Sequence, residues 1–324
     1  MSTREVSAIF ALAAFCLFPT NAFAQNGASG QPVMITEEKG KLRVEVNGKH
    51  FTDYVFEGHS RPFLFPIFGP GGAKMTRNYP LAAGENEEHD HIHHKSFWWG
   101  HGDMNGIDFW AEGKNSGKVV HQGFTKIASG TIGVIASKNK YIDGKGQVVC
   151  TDARTLKFYP SESGSVFDFE VTVHADQGEV VFGDTKEGTM AIRLAETMRL
   201  KGPVGRGHIV NSEGIRDDGT WGKRAKWVDY YGPVEGKTVG VAIFDHPANP
   251  QHPTWWHVRD YGLFAANPFG VHDFEKKPEG SGKLVVKSGD KITFKYRFYI
   301  HAGNEQEAKV QEAYVKYAAE QPAK

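Results

Sequence analysis

Phe167-Asp168-Phe169-Glu170-Val171-Thr172-Val173 alternates apolar and polar side chains without a break. Successive side chains of a strand point to opposite faces, so this run reads as a β-strand with one buried and one wet face. Leu42-Arg43-Val44-Glu45-Val46 repeats the pattern. Further strand signals fall at Lys118 to Gln122, Gly130 to Ala136, Gln147 to Cys150, Thr155 to Tyr159, Gly188 to Leu194, Thr238 to Phe244, Lys283 to Val286 and Lys291 to Ile300. Clusters of Gly, Asp, Asn and Pro punctuate them, and Asp143-Gly144-Lys145-Gly146 and Ser288-Gly289-Asp290 have hairpin character. Short strands so separated predict an all-β sandwich or barrel. The exception is the C-terminus. There Asn304 is placed to cap a helix with Glu305 and Glu307 in its first turn, and Val310, Tyr314 and Tyr317 make an apolar stripe for packing on the sandwich.

The chain has 324 residues, with 38 Lys+Arg against 38 Asp+Glu. A neutral balance argues against nucleic acid as partner, because phosphate-backbone binding needs a basic excess. Residues 1–24 read as a signal peptide: Arg4 gives a basic start, Val6 to Phe18 is almost wholly apolar, and Ala22-Phe23-Ala24 is a small-x-small cleavage signal. The expectation is an exported, periplasmic or secreted protein cleaved near Ala24, with a flexible leader over 25–31 and one β-sandwich domain over 32–324. No apolar run reaches the ~20 residues of a membrane span. Cys150 is then the one cysteine of the mature chain, so stability rests on the core and not on a disulfide.

Chemistry-bearing residues concentrate in two segments. Of 15 His, five fall at 89, 91, 93, 94 and 101 and four at 246, 252, 257 and 272; Trp98, Trp99 and Trp110 accompany the first group, Trp255 and Trp256 the second. If His89 to His94 is extended, His89, His91 and His93 share a face, and His91 with His93 becomes a divalent-metal chelate that an acid or a third His, such as His101 or His257, could complete. The alternative is acid–base chemistry on a sugar, since His exchanges protons near neutral pH and a carboxylate can supply the second function. In that cast His94 and His257 transfer protons, with His101 and Glu196 as further catalytic candidates. Arg61, Arg77, Asp90, Asn105, Asp108, Asp245, His246, Arg259 and Tyr261 bind substrate, and Trp98, Trp99 and Trp256 are stacking platforms. Arg193, three residues before Glu196, is a further polar candidate. A non-catalytic glycan-binding protein is the third class; no other cofactor is expected.

Arg61-Pro62-Phe63, Pro70-Gly71-Gly72, Thr76-Arg77, Asp90-His91-Ile92-His93-His94-Lys95, Trp98-Trp99-Gly100-His101-Gly102 and Asn105-Gly106 with Asp108-Phe109-Trp110 resemble the DUF6807 family. Asp245-His246-Pro247, Trp256-His257 with Arg259, and Asn267-Pro268-Phe269-Gly270 resemble its C-terminal signature. The family also carries the label methane oxygenase. That label belongs to a membrane copper enzyme, and this chain has no spanning run. The resemblance extends to the galactose-mutarotase-like β-supersandwich, whose members act on carbohydrates as epimerases, lyases or hydrolases. It implies a concave sheet under the His/Trp segments serving as a sugar cleft.

Overall fold

The computed structural model describes residues 1, 32–161 and 164–320. The expected signal peptide, Met1 aside, and the leader 25–31 lie outside the described residues. In chain order the strands begin β1 (Val33–Glu38), β2 (Lys41–Val46), β3 (Lys49–Val55), β4 (Phe63–Ile67), β5 (Phe97–His101) and β6 (Lys118–Ala128). Then come β7 (Gly133–Ile142), β8 (Val148–Pro160), β9 (Gly164–His174), β10 (Val180–Phe182), β11 (Gly188–Arg193) and β12 (His208–Asn211). The last are β13 (Trp227–Val234), β14 (Lys237–Asp245), β15 (Trp255–Val258), β16 (Leu263–Asn267), β17 (Leu284–Val286) and β18 (Lys291–Ala302). A one-turn helix α1 (Val271–Glu275) and the C-terminal α2 (Val310–Ala319) complete the elements used below.

Two eight-stranded antiparallel sheets result, ordered β1-β2-β3-β4-β5-β11-β16-β15 and β12-β13-β14-β18-β9-β8-β7-β6, with β10-β17 as a small third pair. The all-β sandwich with a short C-terminal helix, expected from the sequence, is the fold observed. The alternation in β9 places Phe167, Phe169, Val171 and Val173 at 0–1% exposure. They meet the first sheet there: the Phe97 ring lies 5.6 Å from Phe167 and 5.1 Å from Phe169. Each such buried side chain contributes roughly 1.5–3 kcal/mol by leaving water.

Two readings change in detail. Gln147 to Cys150 and Thr155 to Tyr159 are parts of the one long strand β8, whose polar interruption is a buried cluster: Asp152 accepts from Asn139 (2.6 Å), from the Tyr141 hydroxyl (2.8 Å) and from Arg154 (2.9 Å). The turn at Ser288 to Asp290 joins strands of different sheets, β17 and β18, and is not a hairpin. Asn304 caps a turn by accepting from the Gln306 and Glu307 amides (3.0 Å each), while the helix proper starts at Val310 after Lys309 in left-handed backbone (φ 52°). The stripe Val310, Tyr314 and Tyr317 packs on Phe244, Ala242 and Trp227 at the outer face of the second sheet.

The edge strands are β1, β15, β12 and β6. β15 and β12 have four residues each, β1 ends in Glu37 and Glu38, and β6 carries register shifts between His121 and Gly123 and between Phe124 and Lys126.

Candidate active site

Strand parity sorts the residues of the first sheet. Phe97 and Trp99 of β5, Met190 and Ile192 of β11, Phe264 and Ala266 of β16, and Trp256 and Val258 of β15 point into the sandwich core. The alternate positions Trp98, Ala191, Leu263 and Ala265 form the opposite face, where Phe63 and Trp110 join them. Arg193 and His257 belong to that same face by alternation with Ile192 and with Trp256 and Val258.

The segment 87–96 crosses this face as a loop, not as the expected strand. It turns at 91–94, where the His94 amide donates to the His91 carbonyl (2.9 Å), and His91 itself is in left-handed backbone (φ 45°). A non-glycine residue held there is strained, and such strain concentrates at functional sites. The turn brings five side chains into one network. Arg193 donates to His94 Nδ1 (2.9 Å) and to Asp90 Oδ1 (3.1 Å). Arg77 also pairs with Asp90 and fixes the loop by donating to the carbonyls of Glu88 (3.2 Å), Asp90 (3.0 Å) and His91 (3.3 Å). His91 Nδ1 lies 2.6 Å from the Asp90 carboxylate. The His91 ring lies parallel to two others, His94 at 4.6 Å and Tyr261 at 5.3 Å, each at 8° to its plane, and these two are 6.5 Å from each other; His94 in turn stacks on Trp98 at 5.1 Å. The guanidiniums of Arg193 (4.9 Å) and Arg259 (5.5 Å) both lie over Tyr261. A neighbouring group centres on Glu112, which takes Lys95 and Ser60 and lies 3.6 Å from Arg61.

The electrostatics follow from burial among cations. Burial raises the Asp90 carboxyl, but the His91 hydrogen bond and the Arg193 and Arg77 charges outweigh it and hold the group well below the carboxylate range. His94 is kept neutral by burial and by the His93 and Arg193 charges. Burial and Arg61 push His93 down to about 4, and burial and Arg259 push His257 down to about 3.

A family model for DUF6807 matches residues 41–315. The chain belongs to the DUF6807 family. That family is of unknown function, and no curated protein matches the sequence. Solved structures of similar fold include a glycoside hydrolase family 97 enzyme from Pseudoalteromonas sp. strain K8 (12% identity, 84% of this chain and 34% of that chain, TM-score 0.33). The Slr1438 protein from Synechocystis sp. PCC 6803 is another (8% identity, 84% and 96% covered, TM-score 0.33). A protein assigned as an aldose 1-epimerase from Escherichia coli K12 is a third (9% identity, 85% and 100% covered, TM-score 0.31). The DUF6807 chain spans about a third of the length of the glycoside hydrolase chain.

Of the residues singled out in this DUF6807 chain, Asp90, His91, His93, His94, Arg61, Arg77, Arg193, Trp98, Arg259 and Tyr261 come together. Glu196 adjoins them through Arg193 (4.0 Å) but is paired with Arg199. Others are removed from this cluster by parity or distance. His101 points into the core side, donating to the Gly183 carbonyl (2.9 Å) against Phe269. Trp99 donates to Tyr141 (2.9 Å) and Trp256 to the Ala225 carbonyl (2.9 Å), both inside the core. Asn105 ties its turn to Glu179 and Val181, and Asp108 accepts the amides of Trp110 and Ala111. Asp245 organises a loop by accepting from Asn249 and Thr254 and pairing with His252, while His246 packs on Tyr317. Trp98 is fully buried under His94 and so is no open stacking platform. The extended backbone assumed for the His91–His93 chelate is replaced by the turn; the two rings meet edge to face at 5.7 Å and His91 Nδ1 is engaged by Asp90. Among the described residues no three His, Cys, Asp or Glu side chains gather as metal ligands. Lys95, Glu112 and Trp221 were not legible as site residues, since the contacts that place them join distant segments.

Proposed function

We propose that this DUF6807 chain is an exported enzyme performing acid–base chemistry on a sugar-class substrate, with His91 as the proton-transfer residue. The observation that carries the reading is the Asp90–His91 pair. An ionised carboxylate accepting from Nδ1–H fixes the imidazole tautomer and leaves the Nε2 lone pair as the base. His91 is the exposed member of the cluster, with 40% of its side chain open to solvent. His94 takes a different part. Its Nδ1 accepts from Arg193, so the proton of the neutral ring sits on Nε2, where it acts as a hydrogen-bond donor to developing negative charge. Roles of proton carrier for His94 and His257 fit less well, because burial among cations opposes their protonation. Guanidinium donors gathered beside the exposed His91 suit the hydroxyls of a pyranose.

The test is a turnover screen of the mature chain for mutarotation, epimerisation, β-elimination and glycoside cleavage, followed by His91→Asn on whichever reaction proceeds. The expected result is a loss of kcat of about 10²–10⁴ with KM nearly unchanged. Full turnover in His91→Asn, or sugar binding with no turnover of any kind, overturns the proposal; the second outcome describes a glycan-binding protein.

A further inference from the structure

Arg259 stands at the exit of β15 with its main chain locked in a turn, its amide donating to the Leu263 carbonyl at 2.7 Å. Its guanidinium is held between two rings, 5.7 Å from Trp221 and 5.5 Å from Tyr261. Five N–H donors in a planar fork are thereby presented in a fixed place. Yet among the described residues no carboxylate takes them. Asp90 is occupied by Arg77 and Arg193, Glu187 by Lys186 (3.3 Å) and Asp260 by Lys201 (3.3 Å).

The neighbourhood is short of negative charge in the same sense. Arg77 and Arg193 share the carboxylate of Asp90, Glu196 lying 4.0 Å from Arg193 but pairing with Arg199, and Lys95 and Arg61 share that of Glu112. It is also short of acceptors: Arg61 Nη1, Arg193 Nε, Trp98 Nε1 and Trp110 Nε1 are buried donors without a partner.

We infer that the substrate of this site is an acidic sugar, a hexuronic acid or its glycoside, whose carboxylate docks on Arg259 as a two-point hydrogen-bonded pair. The inference rests on the sugar reading above and adds the charge of the substrate. A carboxylate matches the guanidinium fork and is stronger than a neutral acceptor by charge assistance. His91 and Arg259 both lie against the Tyr261 ring, so a pyranose whose carboxylate met Arg259 would bring its ring carbons toward the exposed His91.

Calorimetric titration with D-glucuronate, D-galacturonate, the parent hexoses and D-glucuronamide tests this on the intact mature chain. The expected result is that one uronate binds the wild type at least about 10-fold more tightly than its parent hexose, as fits a charge-assisted pair. The amide, which keeps the shape and loses the charge, should bind no better than the hexose. Arg259→Gln should bring uronate down to the hexose level. Equal binding of acid and amide, unchanged uronate binding in Arg259→Gln, or no uronate binding at all overturns the inference. The two proposals fail separately. Uronate bound through Arg259 but never turned over refutes the acid–base role of His91 alone, whereas turnover of a neutral sugar unaffected by Arg259→Gln refutes the acidic substrate alone.

Discussion

Asp90→Asn is the substitution that most directly probes the charge arrangement of the site. The Arg77 and Arg193 side chains are both 0% exposed, and Asp90, at 31%, is the carboxylate between them. Removing one partner of a fully buried pair costs about 3–5 kcal/mol, because the other charge is left uncompensated. Here the carboxylate is partly wet, Arg77 keeps three main-chain acceptors and Arg193 keeps His94, so the expected loss is smaller, about 2–3 kcal/mol. For a chain of this size that lowers Tm by on the order of 5 °C. The pH dependence carries a defined sign. A carboxyl with a depressed folded-state pKa adds stability that is fully present above its unfolded value, 3.8, and is lost as pH falls through the lower folded value. The Tm gap between wild type and Asp90→Asn, followed by differential scanning calorimetry, is therefore constant from pH 7 to about pH 5 and narrows below pH 4. A variant melting within about 1 °C of wild type at pH 7, or a gap that does not close in acid, would refute the assignment of Asp90 as the counter-ion of the two arginines.

Two further predictions concern the scaffold. A Cβ at Gly100 would lie 2.5 Å from the Phe109 carbonyl oxygen, so Gly100→Ala should push the Trp110 segment off the sheet; a loss of about 1–3 kcal/mol in urea unfolding is expected, and an unchanged midpoint would contradict the close approach. The buried His301 imidazolium is disfavoured by burial but raised overall by Asp229, 3.0 Å away; its stabilisation is therefore full below about pH 6.5 and declines as pH rises through the raised value, and Asp229→Asn should abolish that slope in Tm between pH 6 and 9.

How much of this was readable beforehand depended on exposure. β2 and β9 announce themselves because one of their faces is wet, which writes alternation into the sequence. β5, β15 and β16 are buried on both faces, every residue of each, and so carry no period-two signal to read. The same gap misassigned aromatic residues: without the β5 strand there was no way to know that Trp98 lies on the side of the His/Arg cluster while Trp99 and His101 face the core. The cluster itself was legible as a density of His, Arg and Asp over 77–94, and Arg193 with Tyr261 as outlying members. The extended reading of His89 to His94 failed because Arg77 and the 91–94 turn supply the hydrogen bonds that a neighbouring strand would have given. Glu112 is 17 residues from Lys95 and 52 from Ser60, and only the fold brings them together.

The four sheet edges have a colloidal consequence. An exposed, long and flat edge strand is a template for pairing with the same strand of another copy. Here two edges are four residues long, one ends in paired acidic side chains, and the longest is bent by two bulges. Among the described residues these four rims of the two large sheets offer no long, straight, uncharged ladder of amides and carbonyls, a geometry that disfavours pairing with another copy, and the free Cys150 is buried away from them.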